Sequence, residues 1–439
     1  MNAANSSSSG FSRRRFLGFT AAAAAAVPIV SACGSSWGSS GGSGELKFWD
    51  MPWGTATYND VSKKIIALYK PTKGLPSASY QSIQWANFGQ TFASAIASGT
   101  NPAVSTGGGF QAFQFAEQGA IAYADNLIET MKKDGLYDDF LPGTIDGMKT
   151  DKGYVAIPWE LDAHVWWYNK ALLEEAGAKV PTTWDELLAT GKALKKIGVY
   201  GFSTGAGAGN SLAYETPMSM MIGNGGGLFD PDGNLDVLNK RNIEAIEFIK
   251  QLVDEGIVDP ASVGYTNDNQ YAQWKKRRYG LGNEQVGLAD NVGGTVAEDL
   301  LVMSPIAGPH GDKATLVVEN NVMMYKNTPS QEGSEALLLH WLKNMYQFWD
   351  QPLVNGLPVL KSIAESPEFQ KRPNYVKMVK EYQPIGRSYA ARGKTVGAGQ
   401  SKMDGNSAMY QFGQAVLARR TDAKSALTTL SNALSSLLK

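Results

Sequence analysis

Cysteine is almost absent: of 439 residues, only Cys33 is one. An internal disulfide is therefore excluded, and the folded part must be held by its core alone. A mature body of roughly 400 residues is long enough for that, and for two domains. The chain has 3 histidines, and His164, His310 and His340 are too scattered to suggest a zinc site. Forty basic residues face 41 acidic ones, a net charge of -1, and the two signs are interspersed. That leaves no basic footprint for nucleic acid or an anionic membrane surface. The apolar run from Phe16 to Ala32 is short and carries Pro28, so it is a poor transmembrane helix. Gly107-Gly108-Gly109 lacks the Lys-Ser/Thr of a phosphate-binding loop. Asp230-Pro-Asp232-Gly-Asn234-Leu-Asp236 lacks the sixth-position glycine and the distal glutamate of a calcium loop, and reads as a surface turn. No metal, no cofactor and no internal repeat are expected.

What is present begins with a targeting segment. Ser12-Arg13-Arg14-Arg15-Phe16-Leu17 is a twin-arginine pattern. An alanine-rich run follows and ends in Val30-Ser31-Ala32-Cys33, small residues before a cysteine, as in a bacterial lipobox. Residues 1–33 are thus expected to be a signal peptide for twin-arginine export. Cys33 would be acylated and anchor the chain to the outer face of the cell membrane. Residues 34–44 are almost wholly Gly and Ser, a flexible tether.

From Glu45 onward the chain alternates. Glu45–Asp50 reads as a strand, Asp60–Tyr69 as a helix, Ser77–Gln84 as a strand, Phe88–Ser98 as a helix. Ala103–Thr106 is a short strand, and Phe110–Gln118 a helix. Tyr154–Lys170 is extended. Thr183 caps a helix over Trp184–Lys196. Val199–Ser203 and Tyr279–Gly282 read as strands, and Leu212–Ile222 and Asn239–Glu255 as helices. Thr315–Tyr325 alternates as a strand, and Ser330–Phe348 is a helix. The tail is largely helical, including Tyr375–Tyr382 and Ala408–Leu417. Strand–helix alternation implies an α/β layered architecture.

The run Tyr154-Val-Ala-Ile-Pro-Trp-Glu160-Leu-Asp162-Ala-His-Val-Trp-Trp-Tyr168-Asn-Lys170, continued by Val180-Pro-Thr-Thr-Trp184-Asp-Glu-Leu-Leu188, resembles the signature of the family-1 extracellular solute-binding proteins. Gln118-Gly-Ala-Ile, the helix Ser330–Asn344, Gly356-Leu-Pro358-Val-Leu-Lys361-Ser and the tail from Asp422 agree in order and distance. The resemblance covers essentially the whole mature chain. It implies a two-lobe, periplasmic-binding-protein-like type II fold with a hinge and an interlobe ligand cleft. Lobe one would be 45–160 plus 312–366, and lobe two 161–311 plus 367–439. It implies capture of a mono- or oligosaccharide by hinge closure and delivery to the transmembrane subunits of an ABC importer. The chain is expected to act as a monomer. No reaction on the ligand is implied.

The chain departs from the family pattern in places. Pro102-Ala103-Val104 stands where Pro-Asp-Val is frequent. Gly282-Asn283-Glu284-Gln285 stands where Gly-Pro-Trp is frequent, so polar groups replace a stacking ring.

A sugar site needs flat aromatic faces for the C–H patches and planar polar groups for the hydroxyls. The resemblance places an acidic hydroxyl acceptor at Asp162. Glu160, two residues away on an extended backbone, shares its face. Trp53 lies in the first strand-to-helix loop, where open α/β sheets form their crevice. Phe110 and Gln111 follow three glycines that permit close backbone approach. Tyr214 matches an aromatic loop of lobe two, and Tyr410 a stacking position in the last helices. Asn283 and Glu284 stand in for the missing Trp. Asn321, with Asn320, is a polar pair inside a strand, which is unusual unless it faces a cleft. Trp49, within its strand, is read as core.

Two other classes compete. A glycoside hydrolase using Glu160 or Asp162 would need carboxyls set across a scissile bond, which neighbours on one segment do not provide. A binding protein for a peptide or polyamine is the other.

Overall fold

The computed structural model describes residues 44–85, 88–392 and 398–438. Cys33 and the segments 1–33 and 34–43 lie outside the described residues. The strands are β1 Leu46–Asp50, β2 Ala78–Ser82, β3 Val104–Gly107, β4 Ile121–Ala122, β5 Lys149–Thr150, β6 Gly153–Tyr154, β7 Ile157–Asn169, β8 Leu281–Gln285, β9 Leu300–Val302, β10 Thr315–Tyr325, β11 Leu357–Pro358 and β12 Gly386–Arg387. β5 and β6 form a separate ribbon, and the other ten belong to one hydrogen-bonded sheet.

The order through that sheet is β11-β7-β10-β3-β1-β2. β1 runs parallel to β2 and β3, and the helices Tyr58–Ala67 and Phe88–Ser98 make the crossovers. Parallel pairing needs such crossovers, so the alternation seen in the sequence fixes this part of the fold. β10 then enters antiparallel to both β3 and β7.

β7 is the strand that joins the two halves of the molecule. Residues from Ile157 to Ala163 pair with β10, and Leu161 and Glu160 also with β11. From His164 to Tyr168 the partner is β8, and Trp167 to Asn169 pair with β9. The handover falls between Ala163 and His164.

On the β1 side, Trp159 is the centre of the aromatic core. It packs edge-on against Trp341 (5.3 Å), Phe348 (5.9 Å) and Trp349 (6.0 Å). Rings of this size contribute about 2–3 kcal/mol each on burial. Trp49 is buried against Phe92, as a core residue should be.

On the other side the helix Leu212–Gly223 is buried from Leu212 to Ile222. A helix buried on every face belongs in an interior, and its polar residues Glu215, Thr216 and Ser219 are buried with it. Its Pro217 cannot bond to the Ala213 carbonyl four residues back. Gly413, in the helix Ser407–Leu417, packs against that carbonyl, and a Cβ there would overlap it.

Several sequence expectations match closely. The helix Trp184–Lys196 has Thr183 as its cap, with Oγ1 accepting the Glu186 N–H at 3.2 Å. β10 spans the expected residues. Asp230 Oδ1 accepts the N–H groups of Asp232 and Asn234, both at 2.9 Å, so its loop is a hydrogen-bonded turn. Three expectations change. The helix expected over Ser330–Phe348 breaks into Gln331–Asn344 and Gln347–Asp350, and the strand expected at Tyr279–Gly282 lies at Leu281–Gln285. Val199–Ser203 forms no strand of its own, only single bridges from Tyr200, Phe202 and Ser203 to Tyr279, Val258 and Gly282. The stretch is too short of regular partners to extend a ladder. Among the described residues, no helix is long and apolar enough to cross a membrane.

Candidate functional site

The site is built on the carboxyl ends of β1 and β3 and on one face of β7. Asp50 ends β1. Its carboxyl accepts Thr106 Oγ1 at 2.6 Å and the Tyr80 hydroxyl at 3.2 Å. Burial pushes its pKa up to about 6 against those hydrogen bonds. The Thr106 hydroxyl also accepts the Trp53 indole N–H at 3.1 Å. Thus the loop after β1 is fixed by β3, and Trp53 is locked in place.

Trp53 meets Trp85 at 4.7 Å between ring centres and 87° between planes, and meets Trp159 at 5.5 Å and 80°. Trp85 donates its indole N–H to the Pro52 carbonyl at 2.8 Å, yet is 40% exposed. An oriented, exposed indole beside a buried one is an unfinished aromatic wall. Gly108 lies at its foot: a Cβ there would stand 3.8 Å from both rings.

On β7, Glu160, Asp162 and His164 share one face by strand alternation. Glu160 is buried and accepts the Asn320 amide. Gly356 closes over its other oxygen, where any Cβ would overlap the carboxylate. Burial, then the Asp162 charge, raise the Glu160 pKa to about 8. Burial, then the Glu215 charge, raise that of Asp162 to about 7, with His164 opposing. Among the described residues, the buried Oδ1 of Asp162 has no hydrogen-bond partner.

A register shift in β10 at Asn320/Asn321 turns both amides toward the glycine loop, as a bulge does. Asn320 Oδ1 accepts the Gly109 N–H at 3.0 Å, and Asn321 Nδ2 donates to the Gly109 carbonyl at 2.8 Å. Gly109 has φ +46°. The Asn321 amide N–H therefore clamps the loop rather than reaching into open space.

Tyr214, Tyr389 and Asp404 form the opposing wall. Both hydroxyls donate to Asp404 Oδ1 at 3.3 Å. Tyr410 stands edge-on to Tyr214 at 5.1 Å, and Phe110 lies 5.5 Å from Tyr389. Burial, then the Glu215 charge, raise Asp404 to about 6. Gly108, Phe110, Gln111, Gln114 and Asp404 line a cavity of about 150 Å³.

β8 contributes two unlike residues. Glu284 is engaged: it accepts Gln270 Nε2 at 2.6 Å and Trp274 Nε1 at 3.0 Å, and burial raises its pKa. Asn283 is fully buried, and among the described residues neither its Oδ1 nor its Nδ2 has a partner. Burying an unpaired amide costs about 1–3 kcal/mol.

The ten residues singled out from the sequence fall into three groups. Trp53, Glu160 and Asn321 meet at the β3–β7–β10 end. Asp162 adjoins Glu215 and His164, and Asn283 and Glu284 lie on β8. Tyr214 and Tyr410 face Phe110 and Gln111 across Asp404. Sequence reading missed Trp85, Glu215, Tyr389, Asp404 and Gly356. Trp85 carried one weak signal, an aromatic just before a helix in the same crevice. Asp404 and Tyr389 carried none, since their roles arise only from long-range packing.

Burial displaces Asp50, Glu160, Asp162, Glu284 and Asp404 toward their neutral forms, and so dry a site disfavours an anionic solute. Aromatic faces beside hydrogen-bond acceptors suit a neutral polyhydroxylated one. This is the arrangement of a solute-binding protein: two packed halves, a shared strand and a polar–aromatic seam between them.

The chain belongs to the bacterial extracellular solute-binding protein family, whose profile matches residues 63–347. The fold is accordingly the two-lobe type II fold with a hinge and an interlobe cleft, and the chain is a solute-binding protein, not an enzyme. It is similar to a sugar transporter from Arthrobacter chlorophenolicus A6 crystallised with bound laminaribiose. That likeness has 54% identity and a TM-score of 0.84, covering 90% of this chain and 100% of that one. A maltose-bound protein of T. maritima shares the fold at 18% identity and TM-score 0.73, covering 89% of this chain and 100% of that one. A Rhizobium meliloti protein named as a probable sugar-binding periplasmic protein is 31% identical over 193 residues, 42% of each chain.

Proposed function

We propose that this protein is the carbohydrate-capturing subunit of an ABC importer, and that its solute is a short glucose oligosaccharide such as laminaribiose. The reading rests on one observation above all. Among the described residues, Asp162 Oδ1 on β7 and both amide atoms of Asn283 on β8 are buried polar atoms without protein partners, and a locked indole pair follows β1. Sites built to hydrogen-bond hydroxyls carry such groups, and leaving them unpaired is costly. The 54% identical, laminaribiose-bound neighbour supports the choice of sugar.

In this proposal residues 45–160 plus 312–366 form lobe one and 161–311 plus 367–439 form lobe two. Trp53 and Trp85 stack on sugar rings, with Phe110, Tyr214 and Tyr410 as the opposing faces. Glu160, Asp162, Asn283 and Gln111 receive or donate hydroxyl hydrogen bonds, while Glu284, already engaged by Gln270 and Trp274, braces β8 behind them. Asn321 holds Gly109 in place beneath them. The handover of β7 from β10 to β8 supports a hinge just beyond the expected boundary. The chain acts as a monomer, exported by the twin-arginine route and tethered to the outer face of the cell membrane through an acylated Cys33.

Calorimetric titration with laminaribiose, maltose and a polyamine, with product analysis, tests the reading. Saturable binding of laminaribiose without turnover is expected. Glycoside cleavage, or binding of the polyamine alone, overturns it.

A further inference from the structure

The residue at the strand handover carries a group that sugar binding alone does not explain. His164 is buried, and its Nε2 lies 3.1 Å from Glu215 Oε2. The same oxygen accepts the Ser211 hydroxyl at 2.5 Å. The His164 carbonyl accepts the Thr315 hydroxyl, where β10 begins. One residue therefore ties together β7, the helix Leu212–Gly223 and β10 at the point where β7 changes partner. Three carboxyl charges favour the protonated imidazole: Glu215 on the helix, Asp162 on β7 and, more weakly, Glu284 on β8, whose side chain is engaged by Gln270 and Trp274.

A carboxylate that accepts a sugar hydroxyl does so best when ionised. Ionising Asp162 here places a charge beside Glu215 in a dry site, which like-charge repulsion opposes. The imidazole of His164, 3.1 Å from Glu215 and on the same face of β7 as Asp162, is the group placed to offset that charge when protonated, although among the described residues its Nδ1 has no partner. We propose that His164, held as an imidazolium by Glu215, is the positioning residue of the ligand site, the internal counter-ion that lets Asp162 ionise against a solute hydroxyl. The inference rests on the reading that Asp162 receives such a hydroxyl. It makes solute affinity depend on two protons. Below the Asp162 titration the acceptor is neutralised. Above the His164 titration the counter-ion is lost. Although burial alone would push the imidazole toward neutrality, the Glu215 contact and neighbouring charges raise its pKa above 6.5.

The test uses the full folded chain. Laminaribiose binding is measured from pH 5 to 9 for the wild type and His164→Gln, which keeps a hydrogen bond to Glu215 but no charge. Imidazole titration is followed by NMR in the wild type and in Glu215→Gln, without sugar. The wild type should give a bell-shaped affinity profile. His164→Gln should bind about tenfold or more weakly at pH 7 and lose the alkaline limb. The imidazole should titrate above 6.5 in the wild type and lower in Glu215→Gln. An imidazole that is neutral from pH 6 upward overturns the proposal, even if His164→Gln fails to fold. So does a His164→Gln variant with wild-type affinity and pH profile. Absence of laminaribiose binding by a wild type whose imidazole titrates as stated sinks the sugar reading and leaves the His164–Glu215 pairing standing.

Discussion

Replacing Gly287 with alanine should weaken solute binding without unfolding either half of the molecule. Gly287 follows β8, in the proposed lobe two. It faces Asn355, in the proposed lobe one, whose amide also donates to Asn291 at 3.4 Å. A Cβ at Gly287 would sit 2.8 Å from both Cβ and Cγ of Asn355. Carbon atoms are comfortable at about 3.5–4.0 Å, so one side must yield by about 1 Å. The cost of such overpacking is about 1–3 kcal/mol. The backbone of Gly287 is not strained for alanine, since its φ is -85°. The penalty should therefore fall on closure rather than on folding. At about 1.4 kcal/mol per tenfold, laminaribiose affinity should drop roughly 5- to 150-fold in calorimetry, with an unchanged thermal transition of the unliganded protein. Asn355→Gly in the same chain removes the opposing Cβ and should restore most of the affinity. Wild-type affinity in the single variant, or a loss that Asn355→Gly does not relieve, would refute the closure contact.

Three further outcomes are expected. Gly356→Ala should displace the Glu160 carboxylate, because the new Cβ would occupy its Oε2 position. Far-ultraviolet circular dichroism should stay native while laminaribiose affinity falls by about tenfold or more. Trp85→Ala should remove the exposed half of the aromatic wall, costing about 0.5–1.5 kcal/mol of affinity with little change in melting temperature. The unliganded protein should become less stable from pH 5 to 8. Glu160 and Asp162 have folded pKa values raised to about 8 and about 7, so the folded chain holds protons that the unfolded chain has released. Stability then falls as pH rises through that window. Glu160→Gln should flatten the slope in urea titrations, and an unchanged slope would contradict the assignment.

The parts of this architecture that were legible in the sequence are those set by local chemistry. The cap at Thr183, the alternation of β10 and the largely apolar run Met218–Ile222 each specify their own element. The face shared by Glu160 and Asp162 follows from strand geometry alone, once the segment is read as extended. The Asn320–Asn321 pair is legible as anomalous in a strand. Its use depends on a bulge and on a glycine some two hundred residues away, so its clamp on Gly109 could not be foreseen. The same holds for Asp404, which no motif marks but which collects two tyrosine hydroxyls. Trp53 was legible as a crevice residue. Trp85 was not, because its role depends on how β2 and the helix after it lean on the β1 loop. Glu284 shows the converse: it stands at a flagged position, but Gln270 and Trp274 already engage its carboxyl.

The most direct test of the account is a crystal structure of the chain with laminaribiose. A sugar hydroxyl should lie within about 3.2 Å of Asp162 Oδ1, another should meet the Asn283 amide, and a sugar ring should stack on Trp53 or Trp85. A disaccharide seated elsewhere, with Asp162 and Asn283 still unpartnered, would contradict it.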